Sequence, residues 1–165
     1  MDISHSHVFS ASPAQVAAML ADPEFVRTRA TASGAVRPDA QVEGTPADGF
    51  TISIRQQVPS TTLPVEFRSF VGAEITVRYT EVWESLQGDD RTGTFALEIV
   101  GAPGHASGSL ALVPDPDGTR FVAAGAVVVR MPLVGAMIER AVADALIRGM
   151  RAELAAADTW LEQPR

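Results

Sequence analysis

The sequence contains no cysteine and no lysine; all 13 basic residues are arginine. Without cysteine there are no disulfides, no cysteine–zinc sites and no thiol nucleophile. Without lysine, Schiff-base and pyridoxal-phosphate lysine chemistry are excluded. Long hydrophobic runs are missing as well. No apolar stretch approaches the roughly 20 residues of a transmembrane helix. The opening MDISHSHVFS has neither a basic n-region nor an apolar h-region, so no signal peptide is expected. These features predict a cytoplasmic protein with no transmembrane segment. Net charge is −7 and the arginines do not cluster, the opposite of what a nucleic-acid partner favours. There is no glycine-rich phosphate loop, GxSxG elbow or HExxH pattern.

What is present is a chain of 165 residues, 46% hydrophobic, enough for one domain (1–165) with a real core. Ile3 to Phe9 reads as a strand with Ile3, His5, His7 and Phe9 on one face. In SPAQVAAML, Ser12 is a good N-cap, Pro13 suits the first helical position and Gln15 completes a capping box. Asp22-Pro23 ends that helix and caps a second short one, PEFVRTRA.

After Gly34 the pattern changes to strands. AVRPDAQVEG is weak, since Pro38 suits an edge or a bulge. GFTISIRQQV places Phe50, Ile52, Ile54, Gln56 and Val58 on one face, and ITVRYTEVW does the same for Ile75, Val77, Tyr79, Glu81 and Trp83. RTGTFALEIV offers Phe95, Leu97 and Ile99, SGSLALV offers Leu110 and Leu112, and RFVAAGAVVV offers Phe121, Val127 and Val129. Turn residues at Asp48-Gly49, QGDD and PDPDG separate these runs.

The last element is a helix from about Leu133 to Leu161, with a polar stripe through Arg140, Asp144, Arg148, Arg151 and Asp158. Its other side is broad and apolar, including Val134, Ile138, Val142, Leu146, Met150 and Leu154, so it must lie on something equally broad. Glu139 and Glu153 interrupt that side and are expected near its borders. A ridge of small residues, Ala141, Ala145, Gly149, Ala152 and Ala156, runs beside it. The ridge has two readings: it lets the helix sit close to the sheet, or it leaves room between them.

Strand, two short helices, six strands and a long C-terminal helix is an order that resembles the helix-grip fold of the START-like superfamily, which includes polyketide cyclases, the birch-pollen-allergen type and lipid-transfer domains. FSASPAQVAAMLADPEF is similar to that superfamily's opening signature, and GAMIERAVADALIRGMRAEL to its terminal helix. The resemblance covers nearly the whole chain and points to a bacterial family of unknown function within the group. It implies an α+β helix-grip fold, with a curved antiparallel sheet of about seven strands around the helix and an apolar cavity between them. On that frame the candidate cavity residues are Gln56, Ile75, Val77, Tyr79, Glu81 and Trp83, then Phe95, Leu97 and Phe121, with Ile138, Val142, Leu146 and Gly149 from the helix. A fold of this kind hosts many functions.

One connection is too long for its place. VPSTTLPVEFRSFVGAE, from Val58 to Glu74, joins two neighbouring strands, where two to five residues are usual. Leu63, Phe67, Phe70 and Val71 recur in it at helical spacing. In a meander this connection shares an end of the sheet with GAPGHAS and RMPLVG, which are also apolar and rich in glycine or proline. The segment reads either as a lid over the cavity mouth or as a plug of ordinary core.

Gln56, Tyr79 and Glu81 stand on otherwise apolar faces, where each needs a partner. Glu81 reads in two ways: as a carboxyl with a raised pKa suited to general-acid work, or as one paired with an arginine or lying near a strand end in water. His5 and His7 stand about 6.5–7 Å apart along one strand face, loose for a shared metal and without an evident third ligand. His105 falls in a mouth loop. No metal and no cofactor are expected.

The function expected is binding or carriage of a hydrophobic small molecule such as a lipid, polyketide or aromatic metabolite. The alternatives are a cyclase- or hydratase-like enzyme using Tyr79, Glu81 or a histidine, and an interaction module or homodimer docking through residues 63–71.

Overall fold

A computed structural model describes residues 1–63, 65, 68 and 72–164. The chain opens with strand β1 (Asp2–Phe9), followed by helices α1 (Pro13–Leu20) and α2 (Pro23–Ala32). Six strands follow: β2 (Val36–Thr45), β3 (Gly49–Pro59), β4 (Glu74–Trp83), β5 (Arg91–Ile99), β6 (Gly104–Asp115) and β7 (Gly118–Val129). Helix α3 (Gly135–Leu161) closes the chain.

Local chemistry sets the helix starts as the sequence suggests. The Ser12 hydroxyl accepts from the Gln15 amide N–H while the Gln15 side chain accepts from the Ser12 N–H, a complete capping box. The Asp22 carboxylate accepts from the backbone N–H groups of Glu24 and Phe25. Pro23 takes the first turn, where its missing N–H costs nothing.

The strands form one antiparallel sheet in the order β1-β7-β6-β5-β4-β3-β2. The weak strand is an edge strand, β2, and its register shifts between Val36 and Asp39, around Pro38. A row of inward residues shows how the sheet curves. Phe95 on β5 lies opposite Gly108 on β6, which lies opposite Gly125 on β7, which lies opposite Ile3 on β1. A Cβ on Gly108 would come within 2.7 Å of the Phe95 ring and one on Gly125 within 2.9 Å. The two glycines therefore give the ring its space on the concave face.

Helix α3 packs against α2, β7 and β1. Its first turns seal against β7: Ile138 is buried, beside Val127 and Val129. Glu139 turns back from the helix to accept the backbone N–H of Val129 at 2.9 Å.

The mouth end differs from the sequence reading in two places. GAPGHAS is not a long loop: β5 ends at Ile99 and β6 begins at Gly104, so the connection is four residues. His105 accordingly sits within β6, paired in register with Glu98 and Val128. Of the long β3–β4 connection, Leu63 is buried against the core and Val65 is exposed. Phe67, Phe70 and Val71 lie outside the described residues.

Candidate functional site

Between α3 and strands β3, β4 and β5 lies a cavity of about 320 Å³, at the lower end of the range typical of small-molecule sites, roughly 300–1,000 Å³. Most of its wall is apolar. Strand β4 contributes Ile75, Val77, Tyr79 and Glu81, while β5 contributes Phe95 and Leu97. Gln56 from β3, Phe121 from β7 and Leu63 from the long connection also reach it. Helix α3 presents Val142, Leu146 and Gly149.

Two sequence candidates stand elsewhere. Trp83 is fully buried at the end of β4, 6.3 Å from the Phe50 ring and 6.5 Å from the Phe121 ring, and does not line the cavity. Ile138 is one helical stretch too early, where α3 has already closed on β7. Both share a face with residues that line the cavity, but a face does not say how far along the sheet the void extends.

The small-residue ridge leaves room. Ala145, Gly149 and Ala152 border the cavity, and beyond its own helix the nearest atom to a Cβ on Gly149 would be the Ser33 Cβ at 3.6 Å. Gly149→Leu should therefore keep the fold, shifting the unfolding free energy by less than the roughly 1–3 kcal/mol of a true overpacking. It should also abolish most binding of an apolar dye. A large loss of stability with dye binding intact would place the ridge in tight packing.

One patch of the wall is polar, and it is built around Glu81. Because β4 alternates, Tyr79, Glu81 and Trp83 point the same way. The Tyr79 hydroxyl donates to Glu81 Oε1 at 2.8 Å and the Trp83 indole N–H donates to Glu81 Oε2 at 2.8 Å. From α2, Arg29 donates through Nη1 to Glu81 Oε1 at 2.9 Å. Glu153 of α3 approaches the same Nη1 at 3.7 Å. Of the two readings of Glu81, the arginine-paired one is what the fold adopts. Both partners are buried.

Arg29 and Glu153 are the members that the sequence reading missed. Arg29 had a signal: Phe25, Val26, Arg29 and Ala30 share one side of α2 at helical spacing, and all four are buried. An arginine on a short polar helix reads as a solvated residue unless that spacing is followed. Glu153 is not at a solvated border of α3 but in the cavity wall, with about a quarter of its side chain exposed.

The electrostatics follow from burial in company. Burial opposes the charge on Arg29, but Glu81 first, then Glu153 and Tyr79, outweigh it and raise its pKa. Burial, and then the Glu81 charge, push the Tyr79 phenol well above the usual tyrosine range. Burial pushes Glu153 up to about 7; Arg29 and a hydrogen bond from Ser33 pull down against it, and Glu81 adds to the rise.

That last shift has a sign that can be checked. Between the ordinary carboxyl value near 4.5 and about 7, the folded protein holds a proton on Glu153 that the unfolded chain has released. Its contribution to stability is therefore lost as pH rises through that window. Glu153→Gln should match the wild type at pH 5 and exceed it at pH 8 by roughly 1–3 kcal/mol. An offset that is the same at both pH values would contradict this assignment.

Arg29 also has unused capacity. Its Nε and Nη2 are buried and have no hydrogen-bond partner among the described residues, and each such orphan costs about 1–3 kcal/mol. The other buried arginine, Arg91, is structural: it donates to the carbonyls of Glu84 and Pro46 and lies over the Phe50 ring. The histidines stand apart from the cavity. His7 Nε2 meets Asp158 Oδ1 at 3.0 Å, and His5 has its pKa lowered by burial, then by Arg151 and His7. Among the described residues no three side chains are placed to hold a metal ion, and no helix is long and apolar enough to cross a membrane.

A seven-stranded antiparallel sheet curved about a long C-terminal helix is the helix-grip fold. More particularly, residues 4–161 match the family described as "Protein of unknown function (DUF2505)", and the chain belongs to that family. Solved structures share the fold. TTHA0849 from Thermus thermophilus superposes with a TM-score of 0.65 at 12% identity, over 98% of this chain and 97% of that one. The KanY protein (ms6282) gives 0.61 at 15% identity over 99% and 98%. Ara h 8.0201 gives 0.59 at 10% identity over 98% and 97%. At these identities the likeness is one of fold. No curated protein matches the chain.

Proposed function

We propose that this protein binds a hydrophobic small molecule in the cavity between the sheet and α3. The observation that carries the reading is the cavity itself: about 320 Å³, walled mainly by aliphatic and aromatic side chains, with one polar cluster at Arg29, Tyr79, Glu81 and Glu153. Apolar walls supply affinity and a few placed polar groups supply orientation, the usual division of labour in a ligand site. The small residues of α3 keep the space open, which a helix serving only to seal a core does not require. The likeness of the element order to START-like proteins agrees with this reading. Titration with a neutral apolar dye tests it: one saturable site, lost in Gly149→Leu, is expected. Dye that binds the wild type and Gly149→Leu equally would remove the cavity from the account.

A second reading, catalysis, has one observation in its favour. Glu153, with a pKa of about 7, is poised to give or take a proton near neutral pH beside a buried cation. Tyr79 and Glu81 are less suited, because each is committed to the other by a hydrogen bond.

A further inference from the structure

We propose that the end of the molecule where β7 passes into α3 adsorbs to a lipid bilayer carrying anionic headgroups. The inference stands apart from the cavity reading and starts from residues 130–140, RMPLVGAMIER. Six of these are exposed: Arg130, Pro132, Leu133, Ala136, Met137 and Arg140. Each of the six is either apolar or a cation. The one acid of the segment, Glu139, is turned back onto the Val129 N–H at 2.9 Å. Leu133 is held outward by its backbone. The Val134 N–H donates to the Pro132 carbonyl at 2.9 Å, across a Leu133 φ of +69°. That is a γ-turn of the rare, strained hand, and it leaves the Leu133 side chain wholly in water. Glycine would make the same turn without the strain. A strained turn that presents a large apolar side chain to solvent suits a surface that meets something apolar.

Charge says what that something is. The patch continues onto the β5–β6 connection, where the Arg130 N–H donates to the Pro103 carbonyl and exposed Val100 shares a surface recess with Arg130. Glu98 in that recess stands between Arg78 and His105 in register. No side chain caps α3 at Val134, so the positive end of its dipole adds to the arginines. The opposite end of the sheet has the reverse character: its β2–β3, β4–β5 and β6–β7 connections expose Asp48, Glu84, Asp89, Asp90 and Asp117. An anionic surface repels that end and attracts the other, which orients the approach. Leu133 and Met137 would then enter the headgroup boundary while Arg130 and Arg140 meet lipid phosphates. A second copy of this chain fits less well, because symmetric pairing sets the same arginines against each other.

Flotation with two kinds of vesicle, phosphatidylcholine alone and phosphatidylcholine with phosphatidylglycerol, tests this. The wild type should partition weakly and reversibly onto the anionic vesicles, about tenfold more than onto the neutral ones, and added salt should release it. Leu133→Gly should melt no lower than the wild type, because the turn suits glycine, and should lose about tenfold in partitioning. Arg130→Gln combined with Arg140→Gln should bring anionic binding down to the neutral level. Leu86→Asp, at an exposed position on the opposite end, should bind as the wild type does. Equal partitioning onto both vesicles, or none onto either, would overturn the proposal. So would a Leu133→Gly protein that partitions like the wild type. A dimer in solution that Met137→Asp dissociates, with no binding to vesicles, would give the patch to a second copy and overturn it as well.

Discussion

Glu81→Ala is expected to destabilise the protein by about 3–5 kcal/mol, the usual cost of leaving a buried ion without its partner. The reason is the number of donors that meet on one carboxylate. Arg29 Nη1, the Tyr79 hydroxyl and the Trp83 indole N–H all lose their acceptor together. Arg29 would then face only Glu153, at 3.7 Å. Trp83 belongs to the most deeply buried part of the core, so its N–H has nowhere to turn for water. Urea unfolding measures the loss. Glu81→Gln keeps one acceptor oxygen but neither the second nor the charge, and should fall between wild type and alanine. Arg29→Met combined with Glu81→Leu should recover only the part of the loss that comes from the unpaired Arg29, since the Tyr79 and Trp83 donors still lack their acceptor. A loss below about 1 kcal/mol for Glu81→Ala would be typical of an exposed ion pair and would contradict the buried arrangement.

Gly108→Ala is expected to cost about 1–3 kcal/mol or more, as overpacking against atoms that cannot yield. A methyl group there would stand 2.1 Å from the carbonyl oxygen of Ala124 and 2.6 Å from Gly125 Cα, both backbone, and 2.7 Å from the Phe95 ring. Relief requires β6 to part from β7 or Phe95 to leave its place in the cavity wall. The variant should therefore lose stability and bind an apolar dye more weakly. By contrast Gly149→Leu, a far larger change, should spare stability because Gly149 borders space. A Gly108→Ala protein that melts like the wild type would mean that the sheet adjusts its curvature freely.

These contrasts show what the sequence discloses and what it withholds. Period-two alternation placed Tyr79, Glu81 and Trp83 on one inner face, because side-chain direction in a strand is fixed by parity alone. The capping residues Ser12, Asp22 and their prolines placed two helix starts for the same local reason. The ridge at Ala145, Gly149 and Ala152 was visible as small residues, but whether it meant contact or space depended on the distance between two elements far apart in sequence. Trp83 and Ile138 share faces with the cavity-lining residues and still miss the cavity, since depth along the sheet is a tertiary quantity. Arg29 was hidden by its type. Its burial is set by Glu81, 52 residues away, and no local pattern of charge announces such a pair. The four-residue connection after Ile99 was overlong in the sequence reading because His105 and its neighbours alternate too weakly to look like a strand.

The central claim is that the space under α3 holds an apolar ligand. Native mass spectrometry of the protein purified from the organism that makes it tests this most directly. The predicted result is a fraction of molecules carrying one small-molecule adduct, released by gentle activation, and absent from Gly149→Leu prepared in the same way. Bare protein mass alone, together with no saturable binding of an apolar dye by that same preparation, would contradict it.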